Sequence, residues 1–157
     1  MVEPTPRGAT VRELTELIDI EATEEAVWGV LNDFGGVAKW APYLRHAALV
    51  GDLERGVGSY RVMRHYLGFR LEESVVEWTN HLGYKFDVVV VPYPMVDVQE
   101  SWSLNGGNPH VTVTSSVTYG MRLSRLGAAL DWLLVRHLIR GEMRAGLRGL
   151  RKYVESR

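Results

Sequence analysis

The chain has 157 residues, 46% hydrophobic and 24% charged, with a formal net charge of −1 and no cysteine. This is the size and composition of one globular domain with a real core. The balanced charge excludes a nucleic-acid binder that works by neutralising phosphates, and the missing cysteines exclude disulfides, thiolate metal sites and cysteine nucleophiles.

A chain without cysteine fits the cytoplasm, which is the expected location. Residues 1–10 carry Pro4, Pro6 and Gly8 and lack the apolar run of a signal peptide, so they are expected to be a flexible lead-in to a single domain over 11–157. No stretch approaches the roughly 18 apolar residues that span a bilayer, so no stable membrane insertion is expected.

Residues 11–21 end in alternation, with Leu14, Ile18 and Ile20 on one parity and Asp19 and Glu21 on the other, the pattern of a half-buried strand. Thr23 then has the chemistry of a helix N-cap, with Glu24 and Glu25 in the first turn where the helix dipole favours acids. Ala26, Val27, Val30 and Leu31 make a helical stripe that Asn32-Asp33 and Gly35-Gly36 end. A second short helix is predicted over 37–40, stopped by Pro42.

From Leu44 to Arg122 the sequence predicts strands at 44–53, 58–67, 69–79, 83–92, 96–105 and 110–121. Gly56-Val57-Gly58, Gly68, Asn80-His81, Pro92-Tyr93-Pro94 and Asn105-Gly106-Gly107-Asn108 separate them. Such short connections imply an antiparallel meander, because parallel strands need longer crossovers.

A long helix is predicted over 124–155, with Ser124 as its candidate cap. Its run LGAALDWLLVRHLI (126–139) is apolar nearly all round, which predicts burial on several sides; beyond it Ile139, Met143, Leu147, Leu150 and Val154 form one stripe. Arg136, Arg140, Arg144 and Arg148 run alongside at every fourth position. They suit a solvated face pairing with strand carboxylates, or a surface for anionic lipid or an acidic partner.

The candidate chemistry lies in polar residues on apolar strand faces. Glu73 shares its parity with Phe69, Leu71 and Val75; Glu100 shares its own with Val96, Val98, Trp102 and Leu104. On 83–92 the inward set is Tyr84, Phe86, Val88 and Val90, and on the last strand Val111, Val113, Val117 and Tyr119 with Ser115. A buried carboxylate must be paired or hydrogen-bonded, and desolvation raises its pKa. Each glutamate therefore either pairs with a structural arginine, escapes at a bulge, or faces a ligand as anchor or general acid/base. One strand separates the two, so their backbones lie about 10 Å apart and a shared-proton dyad is not expected.

His46, on the parity of Leu44 and Ala48, is a further inward candidate; His137 falls in the apolar half of the long helix, and His81 and His110 fall at turns. No His-x-x-x-His pair, Glu-x-x-His helix motif or acidic calcium loop is present, so no metal or other cofactor is expected. There is no Gly-x-Ser-x-Gly elbow or phosphate-binding glycine loop either.

The order of strand, two short helices, six antiparallel strands and long terminal helix resembles the START-like (SRPBCC) superfamily, also called the polyketide cyclase/dehydrase and lipid-transport superfamily. The segment IEATEEAVWGVLNDF (20–34), Trp40-Ala41-Pro42, the Gly56-Val57-Gly58 hairpin, Glu73-Ser74-Val75-Val76-Glu77-Trp78 followed by Tyr84, and the Arg-rich last helix carry the resemblance over 12–155. It implies an α+β helix-grip fold: a seven-stranded curved antiparallel sheet wrapped around the C-terminal helix, enclosing a cavity for a hydrophobic or aromatic small molecule. It also favours Arg61, Met63 and His65 as the inward set of strand 58–67, and a cavity mouth near 67–69, 92–95 and 121–125 with Tyr93 and Met95 at the rim.

The implied site has Glu73, Glu100 and His65 as acid/base groups. Ligand contacts are expected from Arg61, Met63, Phe69, Leu71, Tyr84, Phe86, Tyr93, Met95, Val98, Trp102, Ser115 and Tyr119. Three readings follow: a metal-free cyclase/dehydratase of aldol type, a non-catalytic carrier or chaperone for a lipid or quinone, and an interaction module using 126–139 as a homodimer or partner face.

Overall fold

The structure, a computed structural model, describes residues 11–106, 109–122 and 125–157. The expected lead-in and the candidate cap Ser124 lie outside the described residues. Strand β1 (Arg12–Glu21) leads to helix α1 (Glu24–Leu31) and a 3-10 turn (Phe34–Lys39). Strands β2 (Leu44–Val50), β3 (Tyr60–His65), β4 (Arg70–Thr79), β5 (Gly83–Val90), β6 (Met95–Gly106) and β7 (His110–Met121) follow. The chain closes with α2 (Arg125–Leu130), a π turn (Asp131–Val135) and α3 (Arg136–Glu155). The strands form one antiparallel seven-stranded sheet ordered β1-β7-β6-β5-β4-β3-β2, curved against the terminal helix in an α+β helix grip.

Local chemistry sets these elements. Thr23 caps α1 by accepting the Ala26 N–H at 3.2 Å. The short helix begins at Phe34, earlier than predicted, because that ring is fully buried and pulls the turn inward. On β3, Arg61, Met63 and His65 face in, which resolves the parity that the residues alone left open.

Bulges decide the rest. On β2, Leu44 pairs with His65 while His46 pairs with Arg64, and this slip turns His46 out to solvent, against the expectation that it faces inward. On β6 the register breaks between Val96 and Gln99 around Asp97, whose φ is 50°. Met95 and Val98, of opposite parity, consequently both face the interior. Strand β5 ends at Val90, which is exposed instead of inward as predicted, and Val91 takes its place on the inside.

The space between sheet and helix is filled at one end and hollow at the other. Met143, Leu147, Leu150 and Val154 are buried along one stripe of α3, as predicted. Two glycines let this half sit close. A Cβ on Gly149 would stand 2.0 Å from the Trp40 carbonyl oxygen, and one on Gly146 would stand 3.2 Å from the Tyr43 hydroxyl.

The preceding apolar run is not buried all round, which corrects the prediction. Trp132 and Leu133 are 64% and 66% exposed, and Leu134, His137 and Leu138 are also exposed. Leu130, Val135 and Ile139 are half-buried. This part of the helix has water on one side; on the other, Leu130, Val135 and Ile139 pack on a small apolar cluster and line a hollow beside it. Farther along, Arg140 and Arg144 both reach Glu16 of β1, at 2.8 and 2.9 Å, so the arginine row does meet a strand carboxylate.

Gly149→Ala forces the helix off Trp40 and is expected to cost about 1–3 kcal/mol in urea unfolding. Gly141→Ala, with nothing within 4 Å of the added methyl, is expected to gain up to about 1 kcal/mol from helix propensity.

Candidate ligand cavity

A cavity of about 420 Å³ lies between the sheet and the first part of the terminal helix, within the range that holds drug-sized molecules. The sheet contributes Arg61, Met63, Phe69, Leu71, Glu73, Val98, Glu100 and Trp102; the helix contributes Leu130, Leu134, Val135, Ile139, Glu142 and Met143. Trp40 and Tyr43, from the segment between the 3-10 turn and β2, close one side. The exposed residues Tyr66, Leu67, Tyr93 and Leu138 line the mouth.

Three glutamates face this space, each in a different state. Glu73 is paired: Arg61 donates to its Oε2 from Nε at 2.6 Å and from Nη2 at 2.5 Å. Arg61 is itself buried, gives Nη1–H to the Phe34 carbonyl at 2.6 Å and lies 3.8 Å over the Phe34 ring. Burial pushes the Glu73 carboxyl up, and Arg61 pulls it back.

Glu100 has no guanidinium. Trp102 Nε1–H and Ser115 Oγ–H both donate to its Oε1, at 2.7 and 3.3 Å. Burial, reinforced by the Glu73 charge, raises its pKa to about 8, against the weaker opposing effects of Trp102, Arg61 and Ser115. With Oε1 already accepting twice, the retained proton belongs on Oε2. Glu100 is thus an O–H donor beside the apolar side chains Val98 and Val117 of the cavity wall.

Glu142, on α3, is hydrogen-bonded to His65 Nε2 at 2.9 Å. The Leu67 N–H donates to His65 Nδ1 at 3.1 Å, which makes Nδ1 the acceptor and leaves Nε2–H to donate to Glu142. Tyr43 stands among all three acids: burial raises its pKa well above the ordinary value, and Glu100, Glu73 and Glu142 push the same way.

The helix is tied down beside the cavity. Asp131, in the π turn, is buried; it accepts the Tyr119 hydroxyl and pairs with Arg12 Nε at 2.5 Å. One carboxylate so joins the helix to β1 and β7, and the π turn is what aims it inward from a segment whose other face is exposed.

A family model described as polyketide cyclase / dehydrase and lipid transport matches residues 11–155. The chain belongs to this family. Among solved structures it is similar to the Zhui aromatase/cyclase from Streptomyces sp. R1128, at 11% identity and a TM-score of 0.80, covering 93% of this chain and 94% of that one. It is also similar to norcoclaurine synthase from Thalictrum flavum in complex with dopamine and hydroxybenzaldehyde (16% identity, TM-score 0.71, 99% and 96% covered). A third is XoxI from Bacillus cereus (19% identity, TM-score 0.73, 90% and 94% covered). No curated protein matches. At these identities the structural likeness carries the fold, and the family carries the binding of a hydrophobic ligand.

Of the residues singled out from sequence, Arg61, Met63, Phe69, Leu71, Glu73, Tyr93, Met95, Val98, Glu100 and Trp102 line the cavity. Five do not. Tyr84 and Phe86 are spent in the aromatic core against Phe34, at centroid distances of 5.8 and 6.1 Å. Ser115 sits behind Glu100, Tyr119 holds Asp131, and His65 is fully buried behind Glu142, stacked 4.1 Å from Phe69. His137, placed by the sequence in a buried half-helix, points to solvent.

Sequence reasoning missed Glu142, Trp40 and Tyr43. Glu142 had a signal, since it stands three residues after Ile139 and four before Gly146, on the edge of the apolar stripe. Trp40 and Tyr43 sit in a connection with no periodicity to read. Among the described residues no cluster of His, Cys, Asp or Glu could hold a metal ion, and no helix is long and apolar enough to cross a membrane.

Arg61→Leu leaves a buried carboxylate without its partner and is expected to cost about 3–5 kcal/mol, most of it recovered in the double variant with Glu73→Leu. Glu100 generates a pH signature. The folded carboxyl keeps its proton to about 8 whereas an ordinary one loses it near 4.5, so unfolding releases a proton in between and stability falls as pH rises across that window. Urea titrations of Glu100→Gln should lack that slope.

Proposed function

We propose that the chain binds an uncharged, largely apolar molecule whose carbonyl or similar oxygen accepts the proton of Glu100, and that it works on such ligands as a metal-free cyclase/dehydratase. The Glu100 carboxyl carries this reading: a hydrogen-bond donor fixed by Trp102 and Ser115 in an apolar wall. A hydroxyl-bearing acid of this kind stabilises an oxygen that gains negative charge. The lining disfavours carboxylate ligands, since among the described residues Arg61 is its only guanidinium and is already held by Glu73 and the Phe34 carbonyl. The matched aromatase/cyclase and norcoclaurine synthase support an enzymatic reading by what they are.

A second reading, a lipid or quinone carrier, draws on the apolar mouth, where Leu67 and Tyr93 are each 69% exposed and Leu134 and Leu138 are exposed as well. The same surface supports the third reading, a homodimer or partner face. We take the protein to be cytoplasmic from its cysteine-free composition. Native mass spectrometry of the purified protein separates the readings: a stably co-purified lipid or quinone favours the carrier, and a dimer favours the face.

The leading reading is tested with three ligands of one shape, 2-acetylnaphthalene, 2-ethylnaphthalene and 2-naphthoate, by calorimetry. The ketone should bind about 2- to 10-fold tighter than the hydrocarbon, the worth of one hydrogen bond, and naphthoate weakest. Ketone affinity should fall as pH rises through about 8, where Glu100 loses its proton, and Glu100→Gln, which keeps a donor, should abolish that fall. Naphthoate binding tightest would sink the assignment.

A further inference from the structure

The cavity has a second polar wall. Gly146 packs against the Tyr43 hydroxyl and lies 3.7 Å, measured from its added Cβ, from Trp102 Cη2. Trp102 holds Glu100. Glu142 is one helical turn before Gly146 on the same face, and it lines the same cavity. The acid of the sheet and the carboxylate of the helix therefore look into one space from opposite sides, with Tyr43 feeling both.

The two differ in what surrounds them. Glu100 is half-buried against Trp102 and Ser115, while the Glu142 side chain is 44% exposed and open to water. His65 is held on three sides: stacked on Phe69, close to Tyr43 at 6.2 Å, and fixed at Nδ1 by the Leu67 N–H. Its remaining N–H has one direction to point, and Glu142 is there.

We propose that Glu142 is the base that removes a proton from the carbon beside a ligand carbonyl, and that His65 is the positioning residue that aims it. This rests on the reading of Glu100 as the carbonyl's hydrogen-bond donor. In the step, the Glu142 carboxylate takes the α-proton and the C–H electron pair becomes a C=C bond. The carbonyl π pair moves to oxygen, which takes the Glu100 proton. The product is a neutral enol, with Glu142 protonated and Glu100 ionised; no oxidant or reductant is consumed. The reverse step, after Glu142 has exchanged its proton with water, returns a solvent proton to carbon. The substrate class is a ketone with an acidic α C–H attached to an apolar ring system.

The experiment follows α-hydrogen exchange of 2-tetralone in D₂O by NMR, with its Kd measured alongside. The wild-type protein should speed exchange above buffer. Glu142→Gln should lower the catalysed rate by at least about tenfold with Kd changed less than twofold. His65→Phe keeps the ring stack and removes both ring-nitrogen hydrogen bonds, so the thermal midpoint should fall. At a temperature where the variant stays folded it should lower the rate with Kd changed less than twofold, and add nothing in the Glu142→Gln background. Tetralone that binds yet exchanges at the buffer rate, or exchange that survives Glu142→Gln, overturns the base assignment and leaves the binding reading intact. A full effect of His65→Phe in the Glu142→Gln background, or one seen only as lost stability, overturns the positioning role. Tetralone that fails to bind overturns both this proposal and the reading of Glu100.

Discussion

The interior of this protein holds more acid than it can neutralise, and Arg61 decides which carboxylate is left over. Its guanidinium is fully committed to Glu73, the Phe34 carbonyl and the Phe34 ring. A buried charge without such partners is too costly to keep. Arg61 thereby makes Glu73 part of the wall, and the Glu73 charge in turn helps hold the proton on Glu100. The proton on Glu100 thus depends in part on a charge two strands away.

The hollow depends on the same economy of contacts. Where Gly146 and Gly149 admit close approach, α3 packs against Tyr43, Trp40 and Trp102, whose other sides close the cavity. At the other end the helix is held by Asp131, between Arg12 and Tyr119, and by Leu130, Val135 and Ile139, which pack only partly buried on Val98, Val117 and Met143. A polar tie suits a cavity roof because it fixes position without filling volume. On the outer face of that roof Trp132 and Leu133 stay exposed.

Much of this was legible in the chain. Alternation gave the strands. Thr23 and Asn32 bounded α1, whereas Gly35-Gly36, expected to end it, fell inside the next turn. The inward parities of Glu73 and Glu100 were evident because an acid among valines and leucines is conspicuous. What escaped depended on register. A single-residue slip at His46 and another at Asp97 each reversed a side-chain direction, and a slip leaves no trace in composition. The run 126–139 misled for another reason: a rim around a cavity and a buried core segment are made of the same residues.

By itself the sequence determined the element order, the sheet, the close-packed half of the last helix and the presence of two acids on apolar faces, because periodicity and turn chemistry are local properties. Only the tertiary structure decided which acid Arg61 would take, that Glu142 and Tyr43 would join the cavity, and that His65 would sit buried behind Glu142. Those outcomes depend on which side chains meet across strands and helix, far apart in the chain, and desolvation and pairing act only once they have met.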